Sequence, residues 1–275
     1  MHEIRIDPLS GLRAIVATGE PPSAGAPLLQ AGAAPPAPDA QPGLYTALAA
    51  AGAHELIVNH PLPVTTLAEL AVEQVQAAVE VWRERMRAHA GAAYVHLCVD
   101  EQPAAGAAGG GPPSQAQLYA LDFVPAIVAR ERERFSAHAQ RTMGSNLLED
   151  LVQEEVRRRE RIVAIDDEAV LLCPYASSAP YALMLAPRRR RERFEDDGPS
   201  GAALLHDGLS RLARHFGAGP PLSLWVRTAP RDAERFCWRI DIVPRLAPAP
   251  GLELGAGLHR NDVAPERAAA ELRAA

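Results

Sequence analysis

The chain has 275 residues, 48% of them apolar, and a formal net charge of −6. That length can bury one large core or two of ordinary size, and the composition excludes a wholly disordered polymer. The acidic balance excludes a general nucleic-acid binder, which needs a clustered basic surface; the basic side chains are all arginine.

In chain order, residues 4–6 and 12–17 (LRAIVA) read as two short strands joined by the turn Asp7-Pro8-Leu9-Ser10-Gly11. Residues 18–43 are mostly Ala, Pro and Gly, with almost nothing to bury, which predicts a poorly ordered or extended loop. Residues 44–50 and 54–58 (HELIV) follow as strands, the second closed by His60-Pro61-Leu62-Pro63. Thr66, with Glu69 three residues later, fits a capping box, and apolar side chains at helical spacing carry a helix to about His89.

Residues 94–99 (YVHLCV) predict a strand, 100–115 a loop containing three consecutive glycines, and 116–124 (AQLYALDFV) a second strand ending at Pro125. Pro125 starts a charged helix, and another runs from Asn146 to about Arg161. Strands are expected at 169–174 and 181–186, and the arginines of 188–191 fall in the turn after them as solvated charge. A helix over 200–216, a strand over 222–227 (LSLWVR), a loop and a last strand over 236–243 (FCWRIDIV) complete the reading.

The three cysteines, Cys98, Cys173 and Cys237, are far apart inside apolar runs. An odd number without CxxC spacing argues against a disulfide framework and a thiolate zinc site, and for buried thiols. The N-terminal residues have no basic-then-apolar leader pattern, and no window approaches the roughly 18 apolar residues of a membrane span. A soluble cytoplasmic protein without membrane contact is expected.

The two halves repeat an order: strand, helix, strand, loop, strand, proline. In the first half the last pieces are YVHLCV, a loop and AQLYALDFV-Pro125; in the second they are LSLWVR, a loop and FCWRIDIV-Pro244. The repeat predicts two similar modules, residues 1–140 (with the low-complexity loop 18–43) and 141–275. Strand–loop–strand returns predict an α+β fold with mixed or antiparallel sheets and helices packed on them.

Several motifs, in order along nearly the whole chain, carry a family likeness. They are residues 4–11 (IRIDPLSG), 43–48 (GLYTAL) with 54–58 (HELIV), 152–155 (VQEE) and 255–266 (GAGLHRNDVAPE). With 111–125 (GPPSQAQLYALDFVP), the chain resembles the galactose-1-phosphate uridylyltransferases, a branch of the histidine-triad superfamily. The resemblance implies a tandem pair of histidine-triad-like modules. It also implies an HxHxQ motif whose second histidine attacks the α-phosphorus of UDP-glucose and passes UMP to a hexose 1-phosphate. Imidazole suits that step because its neutral form is nucleophilic near pH 7.

Alignment through AQLYAL puts Pro113 and Gln115 where the motif's histidines would stand, and Gln117 where its glutamine stands. An amide has no usable nitrogen lone pair, so no covalent intermediate is expected at Gln115. Asp100 replaces an asparagine that would contact phosphate, and a carboxylate there would repel a diphosphate. Ser114 has no evident base partner. Gln117, Ser114 and Asp100 are the candidate substrate-binding residues.

The resemblance also implies zinc, but the CxxC region has become the Ala/Pro loop, and Pro63 and Pro113 stand where histidines would. For a second metal Glu155 matches the family's glutamate, whereas Arg227, Cys237, Arg239 and Asp241 occupy the histidine-bearing segments. No cofactor and no metal are expected. His96 and Cys98 share one strand face and read as a core histidine and thiol rather than a replacement nucleophile; His138 and His259 read as surface histidines.

Three readings follow. The first is a pseudoenzyme that binds a nucleotide or a UDP-glucose-like nucleotide sugar. The second is an active nucleotidyltransferase or hydrolase working by direct displacement. The third is a non-catalytic interaction scaffold. Family members pair as homodimers, which this chain would copy.

Overall fold

In a computed structural model of the chain, residues 2–18, 26–33, 45–102, 113–248 and 251–275 are described. The consecutive glycines of the 100–115 loop and much of the 18–43 segment lie outside them. Two sheets form. The strands β1 (His2–Ile6), β2 (Arg13–Ala17) and β3 (Thr46–Ala49) make a small antiparallel sheet in the order β2-β1-β3.

The large sheet has eight strands: β4 (Gly52–Val58), β5 (Tyr94–Glu101), β6 (Gln115–Leu121), β7 (Ile162–Ile165), β8 (Ala169–Leu172), β9 (Leu183–Pro187), β10 (Leu222–Arg227) and β11 (Arg239–Pro244). Their order is β4-β6-β5-β10-β11-β9-β8-β7, antiparallel at every described pairing. The sheet is therefore the antiparallel alternative of the two expected. At its centre β5 pairs with β10, from Leu222 opposite Glu101 to Val226 opposite Leu97, so the two halves of the sequence share one hydrogen-bonded surface.

One face of this sheet is the main core. Helix α1 (Val72–Ala88) buries Val75, Ala78, Val79, Trp82 and Met86, the one-face spacing of a 3.6-residue period. With α4 (Ala202–Phe216) and α6 (Pro265–Ala274) it covers Leu97, Leu118, Leu224 and Ile240. Burying a side chain of that size stabilises by about 1.5–3 kcal/mol. On the opposite face α2 (Ala126–Arg141) and α3 (Leu147–Arg158) cover the β9-β8-β7 end, through Phe135, Leu148, Val152, Val170 and Met184, while the start of α2 reaches the other end through Val128. The small sheet covers the β4 end of that face, where Ile4 packs with Tyr94, Leu121 and Val128. A trough remains between these two covers.

Several boundaries differ from expectation. The Thr66–Glu69 capping box closes a separate 3-10 turn, Leu67–Glu69, and α1 begins only at Val72. The strand after the glycine loop stops at Leu121, leaving Phe123 and Val124 to pack beneath the small sheet. The last strand starts at Arg239 rather than 236, because Phe236 and Cys237 turn into the second core. The second charged helix ends at Arg158, since Arg159 takes φ +59° and releases the chain into β7, which the sequence reading missed. Nor did it foresee α6 or the short α5 (Gly251–Ala256).

The low-complexity loop also needs correction: Leu29 within it is 1% exposed, and Gln30 bridges Ala51. Beside that bridge Gly52 has φ +133°, and a Cβ there would stand 2.2 Å from the Ala120 carbonyl oxygen. Only glycine fits so close a backbone approach. No helix among the described residues is long and apolar enough to cross a membrane.

Candidate functional site

Side chains alternate across a strand, so the parity that buries Leu97, Val99, Leu118, Leu224 and Ile240 sends their neighbours to the trough. Cross-strand register then sets those neighbours side by side. Cys98 lies opposite Gln117 and Trp225, His96 opposite Tyr119, and Asp241 opposite Trp225. Asp100 lies opposite Ser223, and Gln115 opposite Val58. Gln115, Gln117, Asp100, His96 and Cys98 thus share one half-open surface, as the period-2 reading of His96 and Cys98 implied.

Gln117 is held in place. Its Oε1 accepts from the Tyr119 hydroxyl at 2.6 Å and lies 3.3 Å from His54 Nε2. The Leu28 backbone N–H donates to His54 Nδ1 at 3.1 Å, which leaves Nε2 to carry the proton and donate to Gln117. The His54 and Tyr119 rings stack with centroids 4.5 Å apart. Burial lowers the pKa of His54, keeping this neutral arrangement. Gln115 makes no hydrogen bond among the described residues, so its amide stands free at the end of the strand.

Ser114 is not brought to the trough. It points to the opposite face, is 4% exposed, accepts from Asn59 Nδ2 at 2.8 Å and donates to Glu101 Oε1 at 2.9 Å. Asn59 in turn accepts from the Trp82 indole at 2.9 Å, so the hydroxyl knits β6 to β5 and α1. The partner that the sequence did not reveal is therefore Glu101, a buried carboxyl.

Asp100 is in the trough but its charge is met. Ser223 donates to it at 2.5 Å, and an Arg245 guanidinium nitrogen lies 3.7 Å away, which weakens the repulsion expected toward a diphosphate.

His96 is not a core residue: it is half-buried in the wall of a pocket, its pKa lowered to about 4 by burial and then by the nearby Arg227 charge. Cys98 is half-buried and its thiol is pushed up to about 12 by burial, reinforced by Asp100. A thiol so protonated is a poor nucleophile. Cys173 and Cys237 are free and fully buried, as expected. His138 is less exposed than its surface assignment, with Asp150 2.6 Å from its Nε2, whereas His259 is exposed.

The donor sets do not fit the metals that the family likeness implies. Glu155 is 3% exposed and bound to Arg161 by paired hydrogen bonds of 2.8–3.1 Å. Arg227 and Arg239 instead gather around Glu131 of α2, at 3.5 and 2.9 Å, with Asp241 3.0 Å from Arg239. Guanidinium groups cannot ligate a cation, and they supply the positive charge a metal would bring. Among the described residues no three His, Cys, Asp or Glu side chains form a metal-holding group.

The sequence reading missed His54, Tyr119, Trp225 and Glu131 as part of this surface. Tyr119 was legible, sharing the parity of Gln117; the other three come from β4, β10 and α2, and need the register to be placed. The indole N–H of Trp225 is buried without a hydrogen-bond partner among the described residues.

Residues 28–125 match the family model of the galactose-1-phosphate uridyl transferase N-terminal domain. The galactose-1-phosphate uridylyltransferase of Rattus norvegicus is 28% identical over 209 residues, 74% of this chain and 54% of that protein. That of Haemophilus influenzae is 27% identical over 254 residues, 87% of this chain and 72% of that protein. The matched region thus spans about half of the rat relative.

Among solved structures, a uridylyltransferase mutant superposes with a TM-score of 0.84 at 25% identity, covering 99% of this chain and 98% of that one. An ADP-glucose phosphorylase from Arabidopsis thaliana with bound ADP-glucose shares the fold at a TM-score of 0.72 and 21% identity, over 83% and 74% of the two chains. Ordered motifs, the family model over residues 28–125 and the whole-chain fold converge on one likeness: the chain is similar to the galactose-1-phosphate uridylyltransferases.

Proposed function

We propose that the chain binds a nucleotide sugar in the trough and does not form a nucleotidylated histidine. The observation that carries this reading is the pair Gln115 and Gln117 on the open face of β6. The amide at 115 has no nucleophilic nitrogen, while Gln117, steadied by Tyr119 and His54, keeps an N–H2 group for a phosphoryl oxygen. Trp225 and Ser223 stand on the same face, opposite Cys98 and Asp100. Support for the ligand class comes from the relatives, which include a protein solved with ADP-glucose. Ser114 is withdrawn from the binding set on its placement, leaving Gln117 and Asp100.

The order β6-β5 and β10-β11 about the central seam supports reading the chain as two modules, residues 1–140 and 141–275, joined edge to edge.

Titration calorimetry of the full chain with UDP-glucose, ADP-glucose and UDP tests the proposal, with intact-mass measurement after incubation. Binding with a Kd between about 1 μM and 1 mM and an unmodified mass is expected. No heat with any ligand at millimolar concentration sinks the binding, and a nucleotidyl adduct sinks the loss of covalent chemistry. Steady exchange between UDP-glucose and galactose 1-phosphate without an adduct would replace the reading by direct displacement. In that case the neutral imidazole of His96 is the first residue to substitute.

A further inference from the structure

A pocket of about 820 Å³ lies beyond the trough, between the β1–β2 hairpin, the floor strands β5 and β6, and the start of α2. That volume falls in the range of about 300–1,000 Å³ usual for small-molecule sites. Its walls are apolar, from Ile15, Leu121, Phe123 and Ile127 among others. Its polar groups are of one kind. Arg13, Arg227, His96 and two tyrosines line it, and no Asp or Glu does.

Two of those groups are buried without satisfaction. Among the described residues the Tyr94 hydroxyl, on a residue 1% exposed, has no hydrogen-bond acceptor, and Nε of Arg227, a residue 7% exposed, has no partner. The Arg227 guanidinium has Glu131 as its anionic neighbour, 3.5 Å off and bound more closely to Arg239, and the Tyr94 hydroxyl as its polar one. Tyr94 and Arg227 are close enough for the cation to oppose, in part, the rise that burial imposes on the phenol. A buried donor without an acceptor is costly, and a native structure tends to supply one. At the mouth Arg13 lies over the Phe123 ring, 3.9 Å from its centroid, and makes no ion pair among the described residues.

We propose that this pocket is a second binding site, for a small monocarboxylate with an apolar aromatic or aliphatic body. The carboxylate accepts from the Tyr94 hydroxyl and Arg227, the charge-assisted geometry that guanidinium favours. The body fills the apolar walls, and Arg13 closes the mouth with a further positive charge. A sugar or a free diphosphate fits poorly, since much of its polar surface would meet hydrocarbon and lose its hydrogen bonds to water. The pocket adjoins the trough through Tyr119, whose hydroxyl donates to Gln117, but shares neither Gln115 nor Asp100. The inference does not rest on the nucleotide-sugar reading.

The test is calorimetry on the full chain with phenylacetate and octanoate, each against its uncharged counterpart, phenylacetamide and octanol. Binding of one carboxylate per chain is expected, with the neutral counterparts at least about tenfold weaker. Tyr94→Phe removes a hydroxyl that donates to no acceptor among the described residues, so it should largely keep the melting temperature and weaken carboxylate binding about five- to tenfold. Leu12→Trp, at the mouth, should block it. Arg227→Gln should abolish it, and Tyr94→Phe keeps the question answerable if that variant does not fold. The proposal is overturned if no carboxylate binds, if the neutral compounds bind equally, or if Tyr94→Phe and Leu12→Trp leave affinity unchanged. Displacement of the carboxylate by UDP-glucose in the Leu12→Trp variant would place it in the trough and equally overturn the second site.

Discussion

The Ser114 hydroxyl donates to Glu101 Oε1 at 2.9 Å, one residue away from the position where the family's nucleophile would stand, yet on the other side of the sheet. The Leu67 N–H donates to the same oxygen at 2.6 Å, while Oε2 is buried without a partner among the described residues. Burial outweighs both hydrogen bonds and raises the Glu101 pKa from 4.5 to about 7.

A pH dependence of stability follows from Glu101. The folded state holds this proton more tightly than the unfolded state, so the associated stability is full below pH ~4.5 and is lost as pH rises toward about 7. The loss is on the order of 3 kcal/mol at most. Urea denaturation at pH 5 and pH 8 should show it, and Glu101→Gln should flatten the difference by improving stability at pH 8. An unchanged slope in that variant would show that the carboxyl is ionised in the folded protein.

Arg161 is the counter-charge for Glu155 and also bonds Glu266 at 2.6 Å. Arg161→Ala leaves Glu155 buried and uncompensated, and should cost about 3–5 kcal/mol. The double variant with Glu155→Leu should recover much of that loss, because the isolated charge is then gone. Chemical denaturation of the three variants gives the coupling directly.

Gly52→Ala should destabilise by about 2–4 kcal/mol, since the new methyl meets the Ala120 carbonyl and the residue keeps a left-handed φ. The same variant should weaken UDP-glucose binding, because β4 carries His54, and His54 orients Gln117. A loss of stability with unchanged affinity would separate the two roles.

Thiol labelling reports on the trough. With the Cys98 pKa near 12 and Cys173 and Cys237 buried at about 12 and about 11, native protein at pH 8 should react with iodoacetamide about a thousandfold more slowly than an ordinary thiol. Denaturant should release all three at once. Rapid alkylation of Cys98 alone would mean a thiolate in the trough and would reopen it as a nucleophile.

The strands and the long helices were legible because each carries its own period: alternation in YVHLCV and AQLYAL, and a 3.6-residue spacing in α1. Element ends were less so. Leu121 to Pro125 and Phe236 to Trp238 are apolar throughout, and local pattern does not say whether an apolar residue extends a strand or leaves it to fill a second core. Leu29 was hidden by its setting among small residues, and only its contact with the small sheet shows that it is buried.

The chain by itself determined that no histidine stands at 113 or 115, since that is covalent identity, and that Gln115, Gln117 and Tyr119 share a face, since strand parity is local. Tertiary structure alone decided the rest. Register set His54 against Tyr119, and the pairing of β5 with β6 brought Glu101 within reach of Ser114. The meeting of β1–β2 with α2 left the Tyr94 hydroxyl, beside Arg227, facing an apolar pocket with no acceptor among the described residues. Those outcomes depend on residues tens of positions apart, and no local period encodes such distances.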